Sequence, residues 1–333
     1  MPPAVAPVSL SLAISRYDHC EDVVSGRVGV EGVTLTPLDL PVEEIFYRSI
    51  HHREFDVAEM SYAKFAAISA GPSPDIVGLP IFPSRVFRQS GLFVRADSPL
   101  TDPMQLADKR VGVPEWAQTA QVWMRGWLQH DLGLPLASID WVQAGVNEAG
   151  RKEKVGLTLP EGVRLTPRPD TSLTELLRGG EVDAISTAHP PDAFERGEPW
   201  IRRLLPDAYA TERDYFRRTG LFPIMHVLTL RRSLYERSPW LAMNLTKAFT
   251  VALHNALERL SEKTASRAPL PWSGELAEQE RKTFGREPFV YGVEANRTDL
   301  DAFFGYAHEQ GVTPRRLAAE EPFARETLAS FKI

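Results

Sequence analysis

Three titratable side chains occupy positions that would suit proton transfer. Glu59 lies between apolar Ala58 and Met60, His226 lies in the apolar run FPIMHVL, and His189 precedes two prolines in STAHPP. We expect an apolar setting to raise the pKa of Glu59, which would suit a proton donor. The prolines would hold the backbone at His189 in one conformation. For His226, a role in the core and a role in chemistry are equally open from the sequence.

Two further polar side chains follow predicted strands. Asp18, in SRYDHCED, could reach a ligand or belong to a polar turn, and the residues do not decide between these. Ser61, in AEMSYAKF, could contact a ligand or cap the next helix, a common role for serine. The predicted catalytic residues are therefore His226, His189, Glu59 and Asp18, and Ser61 joins the predicted binding residues.

Other residues could bind an anion. Arg85 and Arg88 stand three positions apart in IFPSRVFRQSGLFVR. The planar guanidinium pairs with carboxylates through two hydrogen bonds, so such a pair would suit a di-acid or a hydroxy-acid. The stretch KRVGVPEWAQTAQVWMRGWL predicts a strand and then a helix whose first turn, Glu115 to Thr119, could hold a carboxylate on its N–H groups. Arg151, in a polar loop, is a further candidate.

The elements that must position these residues predict an α/β fold. Short runs rich in β-branched residues alternate with amphipathic helical patterns, which is typical of mostly parallel sheets flanked by helices. We predict two lobes, one formed by residues 1–95 and 225–333 and the other by 96–224, with the ligand in a cleft between them. The strand-like runs are VSLSLAI (8–14), VTLTPLDL (33–40), FDVAEMS (55–61), DIVGLPIF (75–82), RVGVPE (110–115), IDWVQAG (139–145), RLTPRP (164–169), VDAISTA (182–188) and HVLTLRR (226–232).

The composition and the absence of known motifs limit the classes of ligand and partner that we expect. The 333 residues carry a net charge of −6 without a basic block, so we expect no nucleic-acid partner. Cys20 is the only cysteine, which excludes an internal disulfide and Cys-x-x-Cys zinc sites. No dinucleotide, Walker, nucleophile-elbow or zincin motif occurs, so nucleotide-binding, serine-hydrolase and zincin functions lose their usual support, and we expect no metal. The N-terminus lacks a charged signal-peptide region and no run suits a membrane span, so we expect a cytoplasmic protein without a membrane partner.

One set of segments runs in order along nearly the whole chain: FDVAEMS, FPSRVFRQS, KRVGVPEWAQTAQVWMRGWL, GRKEKVGLTLP, FPIMHVLTLRR, SPWLAMNLTKAF and YGVEANR. Together these segments resemble the 4,5-dihydroxyphthalate decarboxylase family. The resemblance implies the type II periplasmic-binding-protein fold used as a cytoplasmic enzyme. It also implies the loss of one carboxylate from a dihydroxylated aromatic di-acid, 4,5-dihydroxyphthalate, to give protocatechuate and CO₂ in phthalate degradation, without a cofactor.

This resemblance assigns roles to the candidates as a hypothesis. Such an enzyme must hold carboxylates, engage ring hydroxyls and deliver one proton to the ring carbon. The predicted substrate-binding residues are Arg85, Arg88, Glu115, Thr119, Arg151 and Ser61. The proton donor would be His226, His189 or Glu59, and Asp18 would accept from a ring hydroxyl.

Three alternatives stay open at this point. STAHPP departs from the Ser-Ala-Arg sequence common in the family, which would fit another hydroxybenzoate-type acid as substrate. A solute-binding protein or sensor without catalysis is the main alternative function, because a fold does not determine a function. A metal-dependent hydrolase or lyase is the other. A homo-oligomer is an expectation that the sequence does not test.

Overall fold

The computed structural model describes residues 6–265 and 267–328. The ends of the predicted first lobe, 1–5 and 329–333, and residue 266 lie outside this range. The strands of the described residues are β1 (Val8–Ala13), β2 (Val33–Leu38), β3 (Val57–Ser61), β4 (Ile76–Leu79), β5 (Leu92–Arg95), β6 (Arg110–Val113), β7 (Asp140–Gly145), β8 (Arg164–Ser172), β9 (Ala184–Ser186), β10 (Ile201–Arg203) and β11 (His226–Arg231). The α-helices are α1 (Glu21–Val24), α2 (Val42–His52), α3 (Tyr62–Ser69), α4 (Thr119–Gly126), α5 (Leu173–Arg178), α6 (Asp192–Glu195), α7 (Ala208–Thr219), α8 (Arg232–Arg237), α9 (Trp240–Ser261), α10 (Ser273–Phe284) and α11 (Arg297–Glu309).

The chain divides into two compact units. The first comprises Met1–Arg85, Ile224–Leu300 and Ala318–Ile333, and the second comprises Val86–Pro223 and Asp301–Leu317. The sequence assigned residues 86–95 and 301–317 to the first lobe, whereas their contacts place them in the second unit. The predicted lobes and the cleft between them stay predictions.

The first unit contains a five-stranded sheet in the order β2-β1-β3-β11-β4. β2, β1 and β3 are parallel, and β11 runs antiparallel between β3 and β4. Alternate residues of β1, such as Leu10 and Leu12, face a core that also takes Leu245 and Phe249 from α9. The apolar period of α9 thus covers one face of the sheet, as its sequence pattern predicts.

The second unit contains a six-stranded sheet in the order β10-β5-β9-β6-β7-β8. β9, β6, β7 and β8 are parallel, β5 is antiparallel to β9, and the edge strand β10 is antiparallel to β5. The predicted helix after β8 is present as α5, and Ser172 caps it by accepting a hydrogen bond from the Glu175 N–H at 3.2 Å. Leu173 and Leu176 of this helix pack on Phe93 and Ile185 of the sheet.

One predicted helix boundary is wrong. The helix after β6 begins at Thr119, not at Glu115. Gln118 has an extended backbone, with φ −77° and ψ 133°, and serves as the N-cap position. Residues 115–118 therefore form the connection from strand to helix, and Glu115 cannot lie in the first helical turn.

We predict that Gly78→Ala destabilises the first unit. A Cβ at this position of β4 would lie 2.6 Å from Cζ of Phe65 and 2.8 Å from Cδ1 of Phe323, which are rings buried in the core. Overpacking of this kind costs about 1 to 3 kcal/mol. Denaturant unfolding would measure the loss. Gly29→Ala is the matched control, because a Cβ there meets no atom within 4 Å. Equal stability of the two variants would contradict the prediction.

Candidate active site

A buried carboxylate and a histidine meet on neighbouring strands of the first unit. β3 and β11 pair in antiparallel register, with Glu59 opposite Leu228 and Ser61 opposite His226. This register puts Glu59 and His226 on the same face of the sheet at diagonal positions, which long side chains can bridge. Nδ1 of His226 lies 2.6 Å from Oε1 of Glu59. The Glu59 side chain is wholly buried, whereas that of His226 keeps 20% exposure.

The loop after β1 supplies two further donors to the same carboxylate. The Tyr17 hydroxyl donates to Oε1 of Glu59 at 2.6 Å, and the Ser15 N–H donates to Oε2 at 2.8 Å. β1 is the parallel neighbour of β3, so the chain leaving its carboxyl end runs past Glu59. Both carboxylate oxygens are therefore hydrogen-bonded within the first unit.

These contacts reverse the expected protonation of Glu59. Burial raises the pKa of its carboxyl group, but the hydrogen bond and charge of His226, the Tyr17 hydroxyl and the Ser15 amide lower it by more. The net pKa lies below the ordinary glutamate value, and the prediction of a raised pKa is wrong. At neutral pH Glu59 is an anion that accepts protons in hydrogen bonds, which makes it unsuited to be the proton donor.

An ionised Glu59 determines the arrangement of the His226 ring. A carboxylate can only accept hydrogen bonds, so Nδ1 of His226 must carry the hydrogen between them. Phe46 meets the ring edge-on, with the ring centroids 5.0 Å apart, and limits its rotation. Nε2 is therefore the nitrogen through which His226 can exchange a proton with a bound molecule.

The other polar candidates of the first unit differ in burial. Asp18 is exposed in the turn before α1, one residue from Tyr17. Ser61 is 8% exposed at the end of β3, and although it holds the N-cap position of α3, its side chain makes no capping hydrogen bond. The structure brings neither side chain into the hydrogen bonds around Glu59 that are described above.

Arg85 forms an ion pair inside the first unit. Its Nη2 donates to Oδ2 of Asp299 at 2.6 Å, and Nη1 donates to the side-chain oxygen of Asn296. The side chains of Arg85 and Asp299 are 0% and 2% exposed. A guanidinium so enclosed and neutralised contributes to the packing of the unit, and its role as a substrate ligand stays a prediction.

In the second unit, Glu115 and Arg151 bind each other. Nε and Nη2 of Arg151 both lie 2.8 Å from Oε1 of Glu115, and Nζ of Lys154 lies 3.4 Å from the same oxygen. The Ala117 N–H, just before α4, donates to Oε2 of Glu153 at 3.1 Å. Side chains of the unit itself thus supply the carboxylates at this connection, and Thr119 is buried at the start of α4.

Arg88 and His189 both neighbour Ala188 of the second unit, Arg88 by a hydrogen bond and His189 in the chain. Nη1 of Arg88 donates to the carbonyl oxygen of Ala188 at 3.1 Å, and burial lowers the pKa of Arg88 to about 10. This value keeps the guanidinium charged at neutral pH. His189, the residue after Ala188, is exposed.

Relatives identify the family. The chain is 36% identical to a 4,5-dihydroxyphthalate decarboxylase of Comamonas testosteroni over 330 residues, which cover 99% of this chain and 100% of the relative. A 4,5-dihydroxyphthalate decarboxylase of Pseudomonas putida is 34% identical over 211 residues, or 63% of this chain and 82% of the relative. The chain belongs to the 4,5-dihydroxyphthalate decarboxylase family. The predicted family is confirmed, although no protein-family model matches the chain.

Solved structures show the fold of this family member. The periplasmic aliphatic sulphonate binding protein SsuA from Escherichia coli matches 97% of this chain and 99% of its own length, with a TM-score of 0.54 and 11% identity. The desulfurization enzyme DSZB matches 96% of this chain and 97% of its own length, with a TM-score of 0.51 and 15% identity. The predicted periplasmic-binding-protein-like fold is confirmed.

Two structural absences hold for the residues described in this decarboxylase family member. Over 6–265 and 267–328, no three His, Cys, Asp or Glu side chains are grouped as ligands for a metal ion. Within the same residues, no helix has both the length and the apolar character needed to cross a membrane.

Tyr17 and Ser15 are site residues that the sequence reasoning missed. It considered the polar run after the first strand and selected Asp18, whereas the structure turns the neighbouring Tyr17 toward Glu59. No periodicity signal separates Tyr17 from Asp18, because both follow the end of β1 outside regular structure. The Ser15 contact uses the backbone, so its residue type carries no signal.

We predict that Arg85→Met destabilises the protein strongly, since it leaves Asp299 buried without its cation. Removing one partner of a buried ion pair costs about 3 to 5 kcal/mol. The double variant Arg85→Met with Asp299→Leu should recover much of that loss, because both charges are then absent. Denaturant unfolding of the two single variants and the double variant measures the coupling. A stable Arg85→Met protein with weakened substrate binding would instead support Arg85 as a ligand.

Proposed function

We propose that this protein removes one carboxylate from 4,5-dihydroxyphthalate to give protocatechuate and CO₂. The relatives at 36% and 34% identity carry the name of this activity. The observation that carries the mechanism is the contact of 2.6 Å between His226 Nδ1 and the buried Glu59 carboxylate. It provides a ring whose second nitrogen can give up a proton and whose positive charge has a counter-ion.

Decarboxylation needs one proton at the carbon that loses the carboxylate. The bond between the ring carbon and the carboxylate breaks, CO₂ leaves, and the electron pair remains for a new carbon–hydrogen bond. The hydroxyl para to the leaving group donates electron density to that ring carbon and favours its protonation. In our proposal Nε2–H of the His226 imidazolium supplies the proton as a general acid.

Glu59 supports this step without giving up a proton. Its negative charge balances the imidazolium before transfer, and its hydrogen bond from Nδ1 persists after transfer, when the ring is neutral. The ring then regains its Nε2 proton from water. The charge on Glu59 persists toward acidic pH because its pKa is lowered, so the pair keeps its arrangement through the neutral range.

Substrate binding needs groups that attract carboxylates and ring hydroxyls. Arg88 carries a positive charge at neutral pH and suits a substrate carboxylate, and Thr119 and Ser61 offer hydroxyl groups. Arg85, Arg151 and Glu115 already bind charged partners within their own units. Arg88, with its charge, and Thr119 and Ser61, with their hydroxyl groups, stay predicted substrate ligands, and Asp18 and His189 are exposed residues. Cofactor independence, phthalate degradation, a cytoplasmic location and a homo-oligomer stay predictions.

We predict that the purified protein releases CO₂ from 4,5-dihydroxyphthalate and forms protocatechuate in equal amounts. Product absorbance and trapped CO₂ would be followed together, with and without a chelator, and with phthalate as the control that lacks ring hydroxyls. Saturable binding of the substrate without CO₂ would favour the solute-binding alternative. Activity that the chelator abolishes and an added divalent metal restores would favour the metal-dependent one.

We predict that His226→Gln lowers kcat by about 100-fold or more, the usual contribution of a general acid, while KM changes little. His130→Gln is the matched control, because His130 also binds a carboxylate, with its Nε2 2.6 Å from Oε2 of Glu309, but lies in the second unit. The kcat of a His189→Gln variant, measured in the same way, would show which of the two histidines is the proton donor. A His226→Gln enzyme with an undiminished rate would remove this residue from the mechanism.

A further inference from the structure

We propose that Tyr17 is a positioning residue for the reaction, which holds the Glu59 carboxylate in the orientation that directs Nε2 of His226 to the substrate. This inference rests on the proposed function of the Glu59 and His226 pair. It adds a third side chain, from a different segment of the chain, whose hydroxyl shares one carboxylate oxygen with the imidazole.

Three atoms at hydrogen-bond distance define the arrangement. Oε1 of Glu59 lies 2.6 Å from the Tyr17 hydroxyl and 2.6 Å from His226 Nδ1, and the hydroxyl and Nδ1 lie 3.3 Å apart. The hydroxyl has one hydrogen to donate, and the shorter contact assigns it to Glu59. Nδ1–H must then donate to the same oxygen, and the ring nitrogen left without this hydrogen bond is Nε2.

The Tyr17 hydroxyl is itself held in the donating state. Burial, with the nearby Glu59 charge, raises the pKa of Tyr17 well above its ordinary value, so the hydroxyl keeps its proton throughout the neutral range. The Ser84 side chain hydrogen-bonds to the Tyr17 oxygen. The Tyr17 hydroxyl therefore donates to Glu59 while its oxygen accepts from Ser84.

Removal of the hydroxyl alters the charge state of the pair in a predictable direction. Oε1 of Glu59 would lose one of the two donors described above, and the ionised carboxylate of a buried side chain would be less stabilised. The pKa of Glu59 would rise, and the carboxylate would begin to take up a proton at a higher pH than in the parent protein. Below that pH, the His226 imidazolium would have no counter-ion, and the neutral carboxyl group would be a weaker acceptor for Nδ1–H.

Other titratable groups around Glu59 must be separated from this effect. Besides Tyr17 and His226, its charge acts on His19 and Cys20. Burial lowers the pKa of His19 to about 4 and raises that of the Cys20 thiol to about 12. Only His19 therefore titrates near the acid range of Glu59, and a His19→Gln variant would show its contribution.

The experiment compares Tyr17→Phe with Tyr235→Phe. Tyr235 is the matched control, because its hydroxyl also donates to a glutamate, Oε2 of Glu326 at 2.8 Å, in the same unit but away from Glu59. With 4,5-dihydroxyphthalate we expect Tyr17→Phe to lower kcat by roughly tenfold and to move the acid limb of the kcat profile up by about one pH unit, with KM within about twofold. Tyr235→Phe should match the parent protein in all three values.

A readout without substrate separates this inference from the proposed function. The ¹⁵N signals of the His226 ring report the hydrogen bond from Nδ1 to Glu59, and in Tyr17→Phe we expect this bond to weaken at a higher pH, as Glu59 takes up its proton. If the parent protein releases no CO₂, the proposed function fails, and the spectrum still tests the role of Tyr17. An unchanged acid limb, or a hydrogen bond that weakens at the same pH as in the parent protein, would overturn the inference.

Discussion

The burial of one carboxylate organises the candidate active site. Glu59 lies in the middle of β3 with its side chain closed off from solvent, and an unpaired charge there would be very costly. The ionised carboxylate is stabilised by donors from the loop after β1 and from β11. β1 and β11 are the strands on either side of β3. The order of strands in the sheet thus brings Tyr17, Ser15 and His226 to one carboxylate. The hydrogen bonds that stabilise the buried Glu59 charge thereby also orient the His226 ring.

In the second unit, charged side chains pair with one another at the connection before α4. Arg151 and Lys154 meet Glu115, and Glu153 occupies the amide of Ala117. These pairs attach a loop to the connection before α4, and the anion that a helix start attracts is supplied by the protein. Arg85 is likewise paired with Asp299 in the first unit. The number of arginines in a sequence therefore overestimates how many can bind a substrate, because buried and partly buried arginines pair with carboxylates of the protein itself.

The fold alone leaves the function open, and the position of the histidine narrows it. A sheet with helices on its faces accommodates binding proteins and enzymes alike. In our proposal, catalysis depends on the His226 ring beside the buried Glu59 anion, at the point where β11 begins.

The sequence by itself determined the alternation of strands and helices, the α/β class and, through its resemblance, the family, because these depend on residue periodicity and on local order along the chain. It also selected Glu59 and His226, because each is a titratable residue among apolar neighbours. It could not decide the protonation of Glu59, since the donors that lower its pKa come from residues 42 and 167 positions away. It chose Asp18 over Tyr17 and treated Arg85 as a ligand for the same reason. Strand register and the partners of buried charges are set by contacts between distant segments, and only the tertiary structure contains them.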